Sequence, residues 1–561
     1  MQAIKKQLTL QLKRNQLFYQ QNRYIASQHR QFHNSSLNQS DEIRKIVTSP
    51  IFYVNATPHI GHLYTAILCD AITRYHKLNG EQVLFSTGTD EHGQKVQKKA
   101  IEAGIDPKKF CDKNSDQFKS LFTLAQIDYD RFIRTTDTDH KVAVWDFWNR
   151  LKDRGYIVEG VHEGYYSVND ESFISEKDLK ADQSGGFTTE TGEKLEFISE
   201  KNYIFDIDSR LKKVIESWIK DAIIKPDHIR NKLLDELHTR KSDISVSRPT
   251  SRISWGLKVP NDGSQTIYVW LDALVNYLTV LGYPQNMRQN GKEIGEMIHV
   301  VGKDIAKFHC IYWPAFLAAD DLPLPKKIIN HGHWLKNNMK MSKSIGNVID
   351  PYEILKSYGS NSVRSYFLSQ GPQSKDRNFE MNDLIDHHNQ IICDQYLNLL
   401  QRISGKKILK NRTQLQPLND EQIQYIGVSF ESSINELSDQ VIKHFEEYDF
   451  VSAFTIIEQI LYLGNHLLAE NQFWNIKENE QIEALLFTTF EILRVSSILL
   501  QPYIPQLASG MLDVQNIQDR ALINAKVNLK REINLNMLAK EKVYLAKVEP
   551  QQTQPQQKNR K

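Results

Sequence analysis

The 561 residues contain only four cysteines, Cys69, Cys111, Cys310 and Cys393, scattered along the chain with no Cys-x-x-Cys pair. That spacing excludes a disulfide framework and a zinc knuckle. No apolar run reaches the ~18–20 residues that a helical membrane span needs. Neither sign of charge is in excess: 70 Lys and Arg against 68 Asp and Glu leave a net +2. The whole molecule is therefore not a strong polyanion binder, and any surface for nucleic acid must be a local patch. Acids are missing altogether from residues 1–40. That segment holds Lys5, Lys6, Lys13, Arg14, Arg23 and Arg30, with Ile4, Leu8, Leu12 and Leu17 at roughly helical spacing. A basic, acid-free, amphipathic N-terminus has the make-up of a mitochondrial transit peptide; a disordered basic arm that touches RNA is the alternative.

What the chain does have is length, enough for two to four domains. It is 40% hydrophobic and 25% charged, the balance of a globular protein. Residues 45–62, Lys-Ile-Val-Thr-Ser-Pro-Ile-Phe-Tyr-Val-Asn-Ala-Thr-Pro-His-Ile-Gly-His, organise the rest. Ile46 to Tyr53 reads as a buried strand. A helix is expected to open just after it, with Thr57 as N-cap and Pro58 as the first helical residue. His59 and His62, three apart, then share a face of the first turns. That end of a helix carries unsatisfied N–H groups and partial positive charge, which suits phosphate. Gly61 has no side chain, so a flat ring could approach the backbone there. For this stretch alone, a capped helix with two surface histidines is the plainer alternative. A second stretch, Lys340-Met-Ser-Lys-Ser344, lies in a Gly- and Asn-rich loop after the strand-like 327–330. A lysine-rich loop by itself is usually solvated surface.

Residues 44–160 alternate strand and helix. The strand-like 82–86 leads to Gly88-Thr-Asp-Glu-His-Gly93. Asp90 and His92 therefore belong to the carboxyl end of a strand, the edge where open parallel sheets bind ligands. Helices are expected over 108–125 and 139–154. Residues 161–242 interrupt the pattern, with strands at 163–168 and 194–198 and a helix near 206–220. The alternation resumes from 243. Residues 268–277 read as a short strand into a helix. Residues 297–302 read as a buried strand ending in Lys303 and Asp304, with Phe308, His309 and Trp313 on the helix that follows. Residues 385–510 are helix after helix by apolar spacing. The Pro-rich 501–505 closes that bundle. Beyond it a basic helix candidate precedes 551–561, which is disordered by composition.

The stretches at 59–62 and 340–344 resemble, letter for letter and in the right order, the HIGH and KMSKS signatures of class I aminoacyl-tRNA synthetases. Ser245-Val-Ser-Arg-Pro249, Trp255-Gly-Leu-Lys-Val-Pro260 and the 268–277 and 297–313 stretches are similar to the methionine branch of that family, its mitochondrial form above all. The likeness covers roughly residues 44–505. The fold it implies is α/β: a Rossmann-type catalytic domain in two halves, 44–160 and 243–384, split by a connective insertion at 161–242. An all-α anticodon-binding bundle at 385–510 and a basic tail at 511–561 follow, with 1–43 as the transit peptide. Relatives for isoleucine and valine carry a much longer insertion, and a cysteine-specific relative would bring zinc cysteines. Many methionine-branch members also place zinc knuckles in the insertion. This chain has no cysteine between Cys111 and Cys310, so no zinc is expected.

The resemblance implies that the chain uses ATP with Mg²⁺ to activate L-methionine and then esterifies tRNA(Met), as a monomer in the mitochondrial matrix with no membrane partner. It assigns catalysis to His59, His62, Lys340 and Lys343. It assigns ATP binding to His59, Gly61, His62, Gly302, Asp304, Lys340, Met341, Ser342, Lys343 and Ser344. Asp90 is expected to take the α-ammonium beside Tyr53, while Ile51, Trp270, Leu274, Tyr277 and His309 match the thioether pocket. Sulfur against aromatic edges is worth ~0.3–1.5 kcal/mol. Asn398, Arg402 and Trp474 match the family's anticodon readers. Without the resemblance, Trp270, Tyr277 and Trp474 read as core and Arg402 as a surface ion-pair partner. Asp90 is harder to dismiss, since a buried unpaired acid is costly. A catalytically idle relative that only binds RNA is the other alternative, and the intact histidines and lysines weigh against it.

Overall fold

The computed structural model describes residues 45–167, 172–174, 179–181, 186–188, 194–239, 243–286, 295–341, 346–410, 412–536 and 545–549. The expected transit segment, residues 342–345 with Lys343, and the terminal 551–561 lie outside the described residues.

The chain is α/β, with a parallel sheet followed by a helical region. The main sheet holds β1 (Lys45–Thr48), β2 (Phe52–Tyr53), β3 (Val83–Asp90), β4 (Arg131–Arg134), β5 (Ile223–Lys225), β6 (Glu296–Gly302) and β7 (Lys327–His331). Its order is β5-β7-β6-β1-β3-β2, with β4 also on β3, and every pairing is parallel. β3 and β6 are almost continuously buried, as strands covered on both faces must be. From β1 the chain winds first toward β3 and later returns to β6 on the other side. The order therefore reverses at β1 and β6, and the crevice beyond their carboxyl ends is where such a sheet takes ligands.

The segment expected as one strand over 46–53 is two. Pro50 has no N–H for a ladder, and the Ser49 hydroxyl turns to Thr87 Oγ1 at 2.8 Å. Helix α1 (Ile60–Leu78) follows β2 and is buried round nearly its whole circumference, as a core helix is. Its N-cap is His59, not Thr57, and Pro58 stands outside it. Residues 268–277 also differ from expectation. The strand lies ahead, at Asp262–Ile267, and Tyr268 is the N-cap of the short helix Val269–Leu274. The helices Pro107–Leu124 and Thr138–Asp153 fall within a residue of the expected spans; Asp106 caps the first by accepting from Lys109 N at 3.1 Å. Between the halves of the sheet, Ile157–Ser167 pairs antiparallel with Glu196–Asp206, and helix Ser209–Asp221 leads into β5.

In the helical region, the long helices Phe430–Glu446, Phe450–Glu470 and Asn479–Leu500 pack side by side. The prolines at 502 and 505 do not close it. Pro505 is the first residue of a further helix, Pro505–Val514. Past that helix the expected basic helix is absent among the described residues. Instead Ile533–Asn534 pairs with Gln414–Leu415, and Val527, Leu529, Ile533 and Leu535 are buried. Those four fall at odd positions, the spacing of an extended chain rather than of a helix. Arg364 ties this region to α1. Wholly buried, it donates to Asp70 Oδ2 on α1 at 2.6 Å and to the Pro502 carbonyl at 2.8 Å.

Candidate active site

The mouth of α1 is built locally. The His59 backbone is extended, and its Nδ1 accepts from the Gly61 N–H at 3.0 Å. His62 Nδ1 accepts from the His59 N–H at 3.2 Å. Each imidazole thus uses Nδ1 as an acceptor, so in the neutral ring the proton is on Nε2. The rings stack at 3.7 Å, and Phe52 and Phe118 wall His62 at 5.1 and 5.2 Å. A Cβ on Gly61 would stand 2.9 Å from His59 Cε1, so any side chain there displaces the ring. Two positioned donors at a helix N-terminus are suited to charge that appears on phosphate oxygens.

Across the reversal point, β6 ends at Gly302 and Asp304 lies in the 3₁₀ turn that follows. Lys340 Nζ is 3.3 Å from Asp304 Oδ2, and His333 Nε2 is 3.7 Å from Asp304 Oδ1. Lys340, and then His333, beside the half-exposed Asp304 hold its carboxyl below the usual range. The Lys340 side chain is 62% exposed, Met341 is half-buried, and the remainder of that loop lies outside the described residues. A Cβ on Gly302 would come 2.8 Å from Asp304 Oδ1 and 3.8 Å from both His331 and His333. Sequence reasoning missed these two histidines. His331 Nε2 meets Thr65 Oγ1 of α1 at 2.8 Å and Nδ1 meets the Gly332 carbonyl at 2.7 Å, so β7 is pinned to the α1 mouth.

The residues expected to hold the amino acid are buried or half-buried. Tyr53 stands in register with Asp90, which is buried at the last residue of β3, and half-buried Ile51 precedes β2. Leu274, Tyr277 and His309 are buried. His309 Nδ1 donates to the Ile305 carbonyl at 3.0 Å, so Nε2 accepts from the Tyr277 hydroxyl at 2.8 Å. Burial drives the His309 pKa down to about 4. Behind Tyr277 stands His299, which the sequence reading passed over. Its Nε2 accepts from Trp313 Nε1 at 3.2 Å, so its Nδ1–H faces Thr48 Oγ1 at 2.6 Å. Burial pushes its pKa well down too. Trp270 stacks on Phe308 at 3.6 Å and 7°. The pairing joins residues from separate segments, and no sequence signal marks Phe308 as its partner.

The anticodon candidates lie apart from this site. Asn398 opens the helix Asn398–Ile403, and Arg402 Nη1 donates to Asn465 Oδ1 at 3.2 Å. Trp474 is 64% exposed on the 3₁₀ turn Phe473–Asn475, whereas Phe473 beside it is buried. Trp474 is therefore not core. Among the described residues no group of three or more His, Cys, Asp or Glu is placed to hold a metal ion. All four cysteines are buried and free of disulfides. No described helix is long and apolar enough to cross a membrane. A cavity of about 270 Å³, lined by Asp70, Arg74, Lys77 and Gln501, opens on the later turns of α1, away from the residues above.

The family model described as "tRNA synthetases class I (M)" matches residues 45–404. A Neurospora crassa protein named "Probable methionine--tRNA ligase, mitochondrial" is 39% identical over 503 residues, 84% of this chain and 80% of that one. A Dictyostelium discoideum protein of the same name is 39% identical over 510 residues, 86% of this chain and 88% of the relative. The Rickettsia felis "Methionine--tRNA ligase" is 40% identical over 474 residues, 83% and 91% of the two chains. Among solved structures, Mycobacterium tuberculosis methionyl-tRNA synthetase in complex with methionyl-adenylate is similar with a TM-score of 0.80. Identity there is 31%, covering 88% of this chain and 97% of that one.

Proposed function

The chain belongs to the methionine branch of the class I tRNA synthetases, and from that premise we propose how its residues carry out methionine–tRNA ligation in mitochondria. The methionine carboxylate attacks the α-phosphate of ATP, giving methionyl-adenylate and pyrophosphate. The methionyl group then passes to a hydroxyl of the terminal adenosine of tRNA(Met), releasing AMP. ATP enters with Mg²⁺ on its phosphates. The Nε2–H groups of His59 and His62 donate to phosphate oxygens as charge builds in the transition state. Gly61 and Gly302 allow close approach of the nucleotide, with Asp304 on the ribose side. Lys340, Met341, Ser342, Lys343 and Ser344 close on the leaving pyrophosphate, and Lys340 exchanges Asp304 for that anion.

At the other end, Asp90 binds the α-ammonium beside Tyr53. Ile51, Trp270, Leu274, Tyr277 and His309 hold the thioether. Asn398, Arg402 and Trp474 read the anticodon, with the exposed indole stacking on an unstacked base. The protein works as a monomer without zinc in the mitochondrial matrix. The observation that carries this reading is the pairing of two histidines oriented Nε2–H outward at the α1 mouth with the buried, hydrogen-bonded Tyr277–His309 pair. The test is ATP–pyrophosphate exchange measured with each of the twenty amino acids in turn. Methionine alone should drive fast exchange. Exchange driven by another amino acid, or by none, would sink the assignment.

A further inference from the structure

A polar cluster with no part in the roles above lies between the strand end that carries Asp90 and the helix that carries Trp270 and Leu274. Asp272 is 1% exposed, and His92 and His140 are buried with it. Its Oδ2 is 2.6 Å from His92 Nδ1, and its Oδ1 is 3.0 Å from His140 Nε2. His140 Nδ1 in turn is 3.0 Å from Thr279 Oγ1. Burial works against the charge on Asp272, but His92 and His140 outweigh it and hold the carboxyl down at about 2. An ionised carboxylate accepts at both oxygens, so each imidazole donates an N–H to it.

The cluster's place in the chain gives it meaning. His92 comes two residues after Asp90, and Trp255 packs on it edge-on at 5.7 Å. Trp255 Nε1 also donates to the Glu91 carbonyl at 2.6 Å, which fixes the same loop. Asp272 sits in the helix Val269–Leu274, between Trp270 and Leu274. Thr279 comes two residues after Tyr277 in the next short helix. Helices this short do not hold themselves; tertiary contacts set their orientation. One carboxylate therefore links the ammonium side of the pocket to its apolar wall, and His140, on the helix Thr138–Asp153, anchors both to the body of the domain.

We propose that Asp272, clamped by His92 and His140, is a positioning residue of the amino-acid site that fixes the Trp270–Leu274 wall at a set distance from Asp90. One rigid span then recognises both ends of an α-amino acid with an unbranched apolar side chain. The inference rests on the reading of this pocket as the methionine site. The experiment is steady-state ATP–pyrophosphate exchange with the full chain, with unfolding followed by circular dichroism. Asp272→Asn keeps the shape and removes the charge. It should raise the KM for methionine about tenfold, the scale of one buried hydrogen-bond mismatch, with kcat and the KM for ATP held within about twofold. Thr279→Val loosens only the outer link and should raise the methionine KM by a smaller, equally selective factor of about three. A folded Asp272→Asn with an unchanged methionine KM overturns the proposal. So does a matching rise in the KM for ATP, which marks general loosening. If Asp272→Asn does not fold, Thr279→Val decides alone: a selective rise supports the proposal and a flat result overturns it. A wild-type chain that shows no methionine-dependent exchange would defeat the underlying pocket assignment, and the proposal with it.

Discussion

The two ends of the candidate site use histidine in opposite ways. At the amino-acid end, His299 and His309 are buried, both nitrogens of each ring are hydrogen-bonded, and burial holds both rings neutral. At the proposed phosphate end, His59 and His62 are half-buried, and each accepts through Nδ1 from a backbone N–H of its own helix turn. Lys340, reaching the same end, stands mostly in solvent. The contrast follows from the proposed substrates. A thioether is bound by displacing water, which demands a dry wall with no unspent polar group. A triphosphate changes its charge distribution during the reaction and then leaves as pyrophosphate, which demands donors that are in place and cations that can move.

The comparison breaks first, and by the largest margin, at His62. His62→Ala should slow adenylate formation by a factor on the order of 10²–10³ with little change in methionine affinity, because the donor acts on charge present only in the transition state. Pre-steady-state exchange at the wild-type rate would remove the role. Trp474→Ala sharpens the contrast from outside both ends. Aminoacylation of tRNA should weaken by roughly 10–100-fold, following the ~1–3 kcal/mol of a base–aromatic stack, while tRNA-free exchange stays close to wild type. Loss of both activities, with loss of helical circular dichroism, would mean that the turn is structural instead.

At the amino-acid end the effects are smaller and fall on binding. Tyr277→Phe leaves His309 Nε2 buried without its donor, and the methionine KM should rise about tenfold with the KM for ATP unmoved. An equal change in both would erase the division between the ends. The smallest effect is on stability. His309 titrates near 4 when folded and near 6.5 when unfolded. As pH falls, the unfolded chain takes the proton first. Stability from this group is therefore whole above about pH 6.5 and declines toward pH 4. Between pH 7 and 5 wild type should lose on the order of 1 kcal/mol more than His309→Gln in chemical denaturation. Parallel losses in the two proteins would show that His309 is not held neutral.

Reading the chain alone gave the parallel α/β class and the helical region, because those signals are local. Buried strands are continuous apolar runs, long helices repeat every 3.6 residues, and a helix mouth is decided by a few neighbouring residues. Even there the boundary slipped. Thr57 and Pro58 have good capping chemistry, but His59 takes the cap because its own Nδ1 reaches the Gly61 N–H. Past Val514 the alternation at 527, 529, 533 and 535 marks extended chain ahead of residues 537–544, which lie outside the described residues.

The residues at 59–62 and 340–344 and the alternation around them were determined by sequence, since each depends on neighbours a few positions away. The contacts that join distant segments around the candidate site were decided only by tertiary structure. Thr48 meets His299, His331 meets Thr65, and Asp272 meets both His92 and His140, across separations of 251, 266, 180 and 132 residues. No periodicity spans such distances; Thr48 meets His299 because β1 and β6 are neighbours in the sheet, and the other pairs join helices, a loop and the end of β7 far apart in the chain. Trp474 belongs with them. An indole is apolar enough for a core and polar enough for a surface. The packing of the turn that buries Phe473 is what leaves its neighbour facing solvent.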